Sequence, residues 1–336
     1  MKMYSLENSI RSFFETQVSP NQQQCDELAS SLVQGSVFPV PIQGSFSYTL
    51  STRRDEDQKI VQFRVSHSAL DLKTIQLAKE IHGNIVPSTN YHGEIGDGPT
   101  PPVKVYTIEK LPGITQIEMV VKNSTSLPLV RPKMIQELSR FFSLAWLHPQ
   151  TVTPAELQEG RRTVSEKLTV LASALPPRFH TAISHAQKNL DQLYSPLYPQ
   201  VLTHGDLCEL NTLIMPDTGC ISGLIDWAEA SILPFGMALY GLNNFLGGMS
   251  SEGWKYDENR EKLEAEFWQH FWNTVDIEGI GLKTHLEKPV RTARDLGVLL
   301  RYGFVWENGL YERPASEMDT NTDNIRYLDA LLLAAA

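Results

Sequence analysis

The stretch Val201–Ala230, VLTHGDLCELNTLIMPDTGCISGLIDWAEA, constrains this chain more than any other. Two short apolar runs, Val201–Thr203 and Leu213–Met215, bracket a polar segment carrying His204, Asp206 and Asn211. Pro216-Asp217-Thr218-Gly219 is a turn signal. A third apolar run, Ile221–Ile225, ends on Asp226-Trp227. The order predicts strand, polar loop, strand, tight turn, strand, with a carboxylate just past the last strand. A hairpin of this kind is expected to bring Asp206, Asn211 and Asp226 to one end. Two carboxylates and an amide oxygen are hard oxygen ligands, suited to magnesium beside phosphates. A carboxylate in such a group can also take the proton of an attacking hydroxyl. Each residue alone has an ordinary explanation, since His-Gly-Asp is a common turn and Asp at a strand end is a common cap. The ordered set H-G-D-x-x-x-x-N, then a hairpin, then I-D-W, is what departs from chance.

On those residues the stretch resembles the catalytic core of the aminoglycoside phosphotransferase and choline kinase-like superfamily, relatives of the protein kinases. The resemblance is tightest over Val201–Ala230 and looser over the rest. It implies an α+β, protein kinase-like two-lobed fold, with a small antiparallel β-sheet N-lobe and a larger, mostly helical C-lobe. It implies that Asp206 is the catalytic base, that Asn211 and Asp226 bind magnesium, and that His204 braces the loop. ATP is then the phosphoryl donor, placed between the lobes.

The remaining chain is read against that frame. Residues 5–17 and 21–34 predict two helices, the first with Ile10, Phe13 and Phe14 on one stripe, the second ended by Gly35. Residues 37–65 predict three antiparallel strands, with Phe46, Tyr48 and Leu50 on one face and a charged turn at Arg53–Asp57. In the last strand Val61, Phe63 and Val65 alternate with Ile60, Gln62 and Arg64. The resemblance makes Gly44, Ser45 and Ser47 part of a phosphate-covering loop. It makes Arg64 the cation that forks onto α- and β-phosphate oxygens; the competing explanation is a surface charge on an edge strand. A helix over 68–82 follows. The family's acidic partner for the strand cation falls near Lys73 or Thr74, where no acid stands, with Glu80 and Asp71 as substitutes. Strands over 83–95 and from Val103 lead to Leu111-Pro112-Gly113, which resembles a hinge. Backbone groups from Thr107 to Lys110, including Thr107 and Glu109, are expected to read the adenine edge.

The lobe boundary is expected near residue 110, giving an N-terminal lobe of 1–110 and a C-terminal lobe of 111–336. Helices are predicted over 133–148, 155–174, 177–193, 258–273 and 288–306, with His148 as a helix-end group and Phe267, Trp268, Trp272 and Trp306 as core. Glu229 is expected either in the substrate cleft or as a helix-start acid. The C-terminal YLDALLLAAA predicts a short helix.

Composition sets the outer bounds. Of 336 residues, 41% are hydrophobic and 20% charged, as in an ordinary soluble protein. A net charge of −10 argues against a nucleic-acid partner. No run reaches the ~18 apolar residues a membrane span needs, and no secretory leader pattern opens the chain, so the expected location is cytoplasmic with no membrane partner. The three cysteines, Cys25, Cys208 and Cys220, match no metal spacing and read as free thiols. Two functions remain open. One is an ATP- and Mg2+-dependent small-molecule kinase that phosphorylates a hydroxyl of an acceptor such as a specialised metabolite or antibiotic-like compound. The other is a kinase fold without kinase activity, a pseudokinase or a cleft for another reaction on a metabolite. A protein kinase fits less well, because H-R-D, D-F-G and A-P-E are all absent. Acceptor identity and oligomeric state leave no readable motif.

Overall fold

The computed structural model describes residues 4–16, 18–52, 58–97, 100–122, 127–275, 280–307, 311–319 and 322–333. The charged turn expected at 53–57 lies outside these residues, as does the side chain of Trp306. The chain divides into two compact units, Met1–Pro112 with Gly223–Ala228, and Gly113–Ser222 with Glu229–Ala336.

The first unit opens with two helices, α1 (Leu6–Thr16) and α2 (Gln22–Val33). Asn21 and Gln24 form a reciprocal capping box at the start of α2, a device that stabilises a helix by about 1 kcal/mol. The left-handed residue that ends α2 is Gln34 rather than Gly35; Gly35 instead returns its N–H to Ser30 O at 3.1 Å. Strands β1 (Val37–Pro39), β2 (Ser47–Thr52) and β3 (Lys59–Val65) follow, then α3 (Leu72–His82), β4 (Thr89–Ile95) and β5 (Val103–Glu109). The strands form one sheet in the order β1-β2-β3-β5-β4, every described pairing antiparallel.

Alternation decides which way this sheet faces. Tyr48, Leu50, Val61, Phe63 and Val65 share a buried cluster with Phe13, Cys25 and Ala29 of the two helices. Burying a large apolar side chain is worth about 1.5–3 kcal/mol, so a one-residue register slip would forfeit the set. The same period of two sends Ser47, Thr49, Gln62 and Arg64 to the opposite face, where they hydrogen-bond one another.

The second unit is mostly helical. After β6 (Ile114–Thr115) come α4 (Gln116–Lys122), α5 (Leu127–Leu147), α6 (Pro154–Ala174) and α7 (His180–Leu193). Helix α5 starts earlier than its sequence suggests and runs through Pro132 in its second turn. His148 does close this helix, its Nδ1 2.8 Å from Leu144 O. Strands β7 (Gln200–Thr203), β8 (Thr212–Ile214), β9 (Ile221–Leu224) and β10 (Ser231–Pro234) follow. Strand β7 pairs with β10, and β8 lies between β6 and β9. The chain continues through α8 (Tyr240–Leu246), β11 (Gly247–Ser250), β12 (Gly253–Tyr256), α9 (Arg260–Thr274), α10 (Ile280–Tyr302), β13 (Phe304–Glu307), β14 (Tyr311–Pro314) and α11 (Asn324–Leu328).

Three expectations are corrected here. The helix predicted to reach 306 ends at Tyr302, because Gly303 returns its N–H to Leu299 O at 2.8 Å and the chain turns into β13. The start of β13 takes the end of that predicted helix, and the hairpins β11–β12 and β13–β14 are strands the sequence did not predict. Trp268 is not core: it is half-buried and, with Trp272, Glu264 and Arg294, lines a cavity of about 200 Å³. Phe267 and Trp272 are buried as expected. Among the described residues no helix is long and apolar enough to cross a membrane.

Candidate active site

In the first unit the site residues gather around Arg64. It stands on β3, the central strand of the sheet, and only 3% of it is exposed, which rules out a surface charge on an edge strand. A guanidinium so buried needs partners on every side. Its Nε donates to Ser68 O at 2.6 Å and Nη2 to Ser68 Oγ at 2.7 Å. Nη1 donates to Gln62 Oε1 at 2.9 Å and to Asp226 Oδ1 at 3.0 Å. The carboxylate facing Arg64 is therefore Asp226, and α3 supplies none. The two substitutes considered on and beside that helix are otherwise engaged. Asp71 caps α3 through Lys73 N and Thr74 Oγ1, and Glu80 accepts from Gln76.

Asp226 has φ +62°, in the left-handed region that few residues other than Gly, Asn and Asp adopt. Strain of this kind collects at functional sites. The next residue anchors it: Trp227 is buried, donates Nε1–H to Leu224 O at 2.8 Å, and packs its ring against His82, the last residue of α3. The Asp226 side chain is 40% exposed, so one edge of the carboxylate meets Arg64 while the group as a whole stays reachable.

The residues assigned to the phosphate loop separate into two kinds. Gly44 and Ser45 lie exposed before β2. Ser47 belongs to the sheet: it is buried, pairs in register with Arg64, and its hydroxyl meets Gln62 and Thr49. Gln43 ties the loop down, donating to Val40 O and Thr49 O and accepting from Thr49 N. At the hinge, Thr107 sits within β5 between β3 and β4, and its hydroxyl is 2.8 Å from His92 Nε2. The N–H groups of Glu109 and Lys110 already donate to Ser88 O and Gln58 O. The Glu109 carboxylate accepts from Ser88 N and sits 3.5 Å from Lys79, and these groups hold it below the usual carboxylate range.

In the second unit the loop from His204 to Asn211 is fixed from several directions. Fully buried His204 accepts at Nδ1 from Asp206 N, 3.3 Å away, and so braces the loop. Gly205 has φ +82°, and a Cβ there would overlap the carbonyl oxygen of Glu229. Tyr240 donates its hydroxyl to Gly205 O at 2.6 Å, and Asn244 donates to Leu207 O. Substituting Gly205 by alanine adds left-handed strain and a backbone collision together, and is expected to destabilise the protein by at least about 2 kcal/mol. A denaturant midpoint equal to that of the wild type would contradict this.

Asn211 is turned by two bonds. Its Nδ2 donates to Asp206 O and to Asp206 Oδ2, each at 2.9 Å. The amide is thereby oriented with Oδ1, the hard donor atom, left over for a cation. Asp206 Oδ1 is met by Arg301 Nη2, and Arg301 Nη1 lies 3.5 Å from Glu229 Oε2. Glu229 is thus an acid in the first turn of the short 3-10 helix Trp227–Glu229, and it shares Arg301 with Asp206. Burial opposes the charge on Arg301, and Asp206, Tyr240 and Glu229 more than offset it, so the guanidinium stays charged. Burial, with Asp206 nearby, pushes the Cys208 thiol up to about 12, which leaves it protonated and unreactive at neutral pH.

Among the described residues no group of three or more His, Cys, Asp and Glu side chains is placed to cage a metal. The hard oxygen donors on hand are Asn211 Oδ1 in the second unit and the Asp226 carboxylate in the first.

Arg301, Gln62, Ser68 and Tyr240 were not legible as site residues. Arg301 alone leaves a trace, a single charge in the apolar run Val298-Leu299-Leu300-Arg301-Tyr302-Gly303-Phe304.

Residues 105–247 match the phosphotransferase enzyme family. Over those residues, under half of the chain, the sequence is similar to that family. Spectinomycin phosphotransferase, solved with ADP and spectinomycin, has a TM-score of 0.51 at 13% identity, covering 94% of this chain and 95% of that one. That likeness shows the protein kinase-like α+β fold. An aminoglycoside phosphotransferase from Streptomyces rimosus gives 0.47 at 14% identity, over 82% and 96%. A choline kinase from Cryptosporidium parvum gives 0.46 at 13%, over 79% and 80%. No curated protein sequence matches. The acid that the resemblance implies on α3 is not found there.

Proposed function

We propose that this chain is an ATP- and magnesium-dependent phosphotransferase that phosphorylates a hydroxyl group of a small molecule. The observation that carries the reading is the pairing of Asp206 with Asn211. One amide is turned so that its nitrogen fixes the carboxylate and its oxygen is spared. Asp206 receives the proton of the acceptor hydroxyl. Asn211 and Asp226 are the side chains for magnesium, which when bound neutralises phosphate charge. Arg64 takes phosphate oxygens from its place on β3, beneath the loop carrying Gly44 and Ser45. Phosphoryl transfer asks little covalent work of a protein, so positioning and charge neutralisation carry most of the rate. The family description and the fold support this reading. The acceptor is a small molecule, with a specialised metabolite or antibiotic-like compound favoured, and the compartment is the cytoplasm.

A second reading, the same fold as a pseudokinase or metabolite-binding protein, draws on the absence of a carboxylate on α3 facing Arg64. One experiment separates them. Thermal melting with ADP, with and without magnesium, is paired with ADP release from Mg-ATP. The phosphotransferase reading expects a magnesium-dependent rise in melting temperature and slow ADP release with water as acceptor. No shift and no release would favour the second reading.

A further inference from the structure

Arg301 lies in the last turn of α10, 95 residues along the chain from the aspartate it meets. The two oxygens of Asp206 are held by different donors, Oδ2 by Asn211 Nδ2 at 2.9 Å and Oδ1 by Arg301 Nη2. A carboxylate has about four acceptor positions, so this grip fixes its plane and leaves positions for a hydroxyl. The loop does not need Arg301 as a strap. Tyr240 already ties Gly205, Asn244 ties Leu207, and His204 ties Asp206 N. Helix α10 is likewise seated without it. A Cβ on Gly297 would collide with Met237 O, and Tyr302 stacks on Tyr327 with centroids 4.4 Å apart. A half-buried cation between two acids, in a place already secured by other bonds, calls for a role beyond packing.

We propose that Arg301 is a positioning residue of the phosphoryl-transfer site, holding the Asp206 carboxylate, jointly with Asn211, in the orientation that receives the acceptor's proton. The inference rests on the phosphotransferase reading above. In the step it serves, the acceptor oxygen bonds to the γ-phosphorus as the bond from that phosphorus to the β,γ-bridging oxygen breaks. ADP leaves with the bridging oxygen and its electron pair, and the acceptor's proton passes to Asp206. Arg301 also offsets one of the two negative charges of Asp206 and Glu229, which would otherwise repel the incoming phosphates. Glu229 holds the second guanidinium nitrogen and so sets where the first one points.

The test uses the full chain and Mg-ATP, with water as acceptor, and reads kcat and KM for ADP release in the wild type and in Arg301→Ala, Arg301→Gln and Arg301→Lys. The alanine and glutamine variants are expected to lose about 10- to 100-fold in kcat with KM for ATP changed less than about twofold, the pattern of a group that acts in the transition state. Lysine, which keeps the charge, is expected to recover to within about fivefold of the wild type. The magnesium-dependent melting shift with ADP reports that each variant is folded; if the alanine variant is not, the glutamine variant decides. A kcat within twofold of the wild type for Ala or Gln, or a loss that enters through KM alone, overturns the proposal. ADP release in the wild type with unaffected variants sinks this inference only; no release in the wild type sinks it together with the phosphotransferase reading.

Discussion

Asp206→Asn is expected to lower kcat by about a hundred- to ten-thousand-fold, with affinity for Mg-ADP changed by no more than about threefold. The amide keeps one oxygen for Arg301, so the half-buried cation is not stranded. It loses the basicity that draws the acceptor's proton, and it sets an NH2 against the NH2 of Asn211, which now donates to Asp206 Oδ2. Alanine at the same position is a harsher change, since it removes the acceptors of both donors. Leaving a charged donor without its partner costs about 1.5–3 kcal/mol, so part of any loss in Asp206→Ala would be structural. Steady-state ADP release and calorimetric titration with Mg-ADP measure the two quantities. Near-normal turnover in Asp206→Asn would remove the base assignment.

The second large effect is expected at Asp226. Asp226→Asn should abolish the magnesium dependence of ADP binding while costing little stability. Asparagine tolerates the left-handed backbone almost as well as aspartate and still offers an oxygen to Arg64. Asp226→Ala should lose the same magnesium dependence and also melt earlier. It strains a φ of +62° and withdraws one of four partners from a guanidinium that is 3% exposed. The stability loss is expected at about 1–3 kcal/mol, at the lower end because the Asp226 side chain is 40% exposed and its ion pair is partly screened. Melting with ADP, with and without magnesium, reads both variants. An unchanged magnesium response in Asp226→Asn would count against the ligand role.

How far these residues could be read from sequence depends on what fixes each one. The faces of β2 and β3 were legible because period-two alternation has one physical meaning: Val61 and Phe63 go to the core, and Gln62 and Arg64 go opposite. The strand, loop, strand, turn, strand order of residues 200–224 was legible because its signals are local, and the turn at Pro216–Gly219 closes β8 onto β9 with a Met215 N to Cys220 O bond of 2.9 Å. Local order also gives the brace, since His204 and Asp206 are two residues apart. Partners brought together by folding were not legible. Nothing in the sequence near Arg64 names Asp226, 162 positions away, as its counter-ion. The helix acid sought in its place was a reasonable expectation that the chain does not meet. The short hairpins β11–β12 and β13–β14 escaped for another reason. Four-residue strands carry too few alternations to outweigh flanking helical patterns. Ser47 shows a subtler failure, because a small residue beside a glycine reads as loop, whereas its hydroxyl is part of a polar ladder across the sheet.

The contact at Gly297 bears on how α10 can be exchanged or rebuilt. Glycine there lets α10 lie against the carbonyl of Met237, and Arg301 follows one helical turn later, about 6 Å along the axis at 1.5 Å per residue. The interval works as a ruler, converting a fixed crossing point into a fixed reach. A graft that imports another helix at this place must therefore carry over the Gly-x-x-x-Arg spacing intact. Shifting it by a single residue would swing the guanidinium about 100° around the axis and leave Asp206 facing an apolar neighbour.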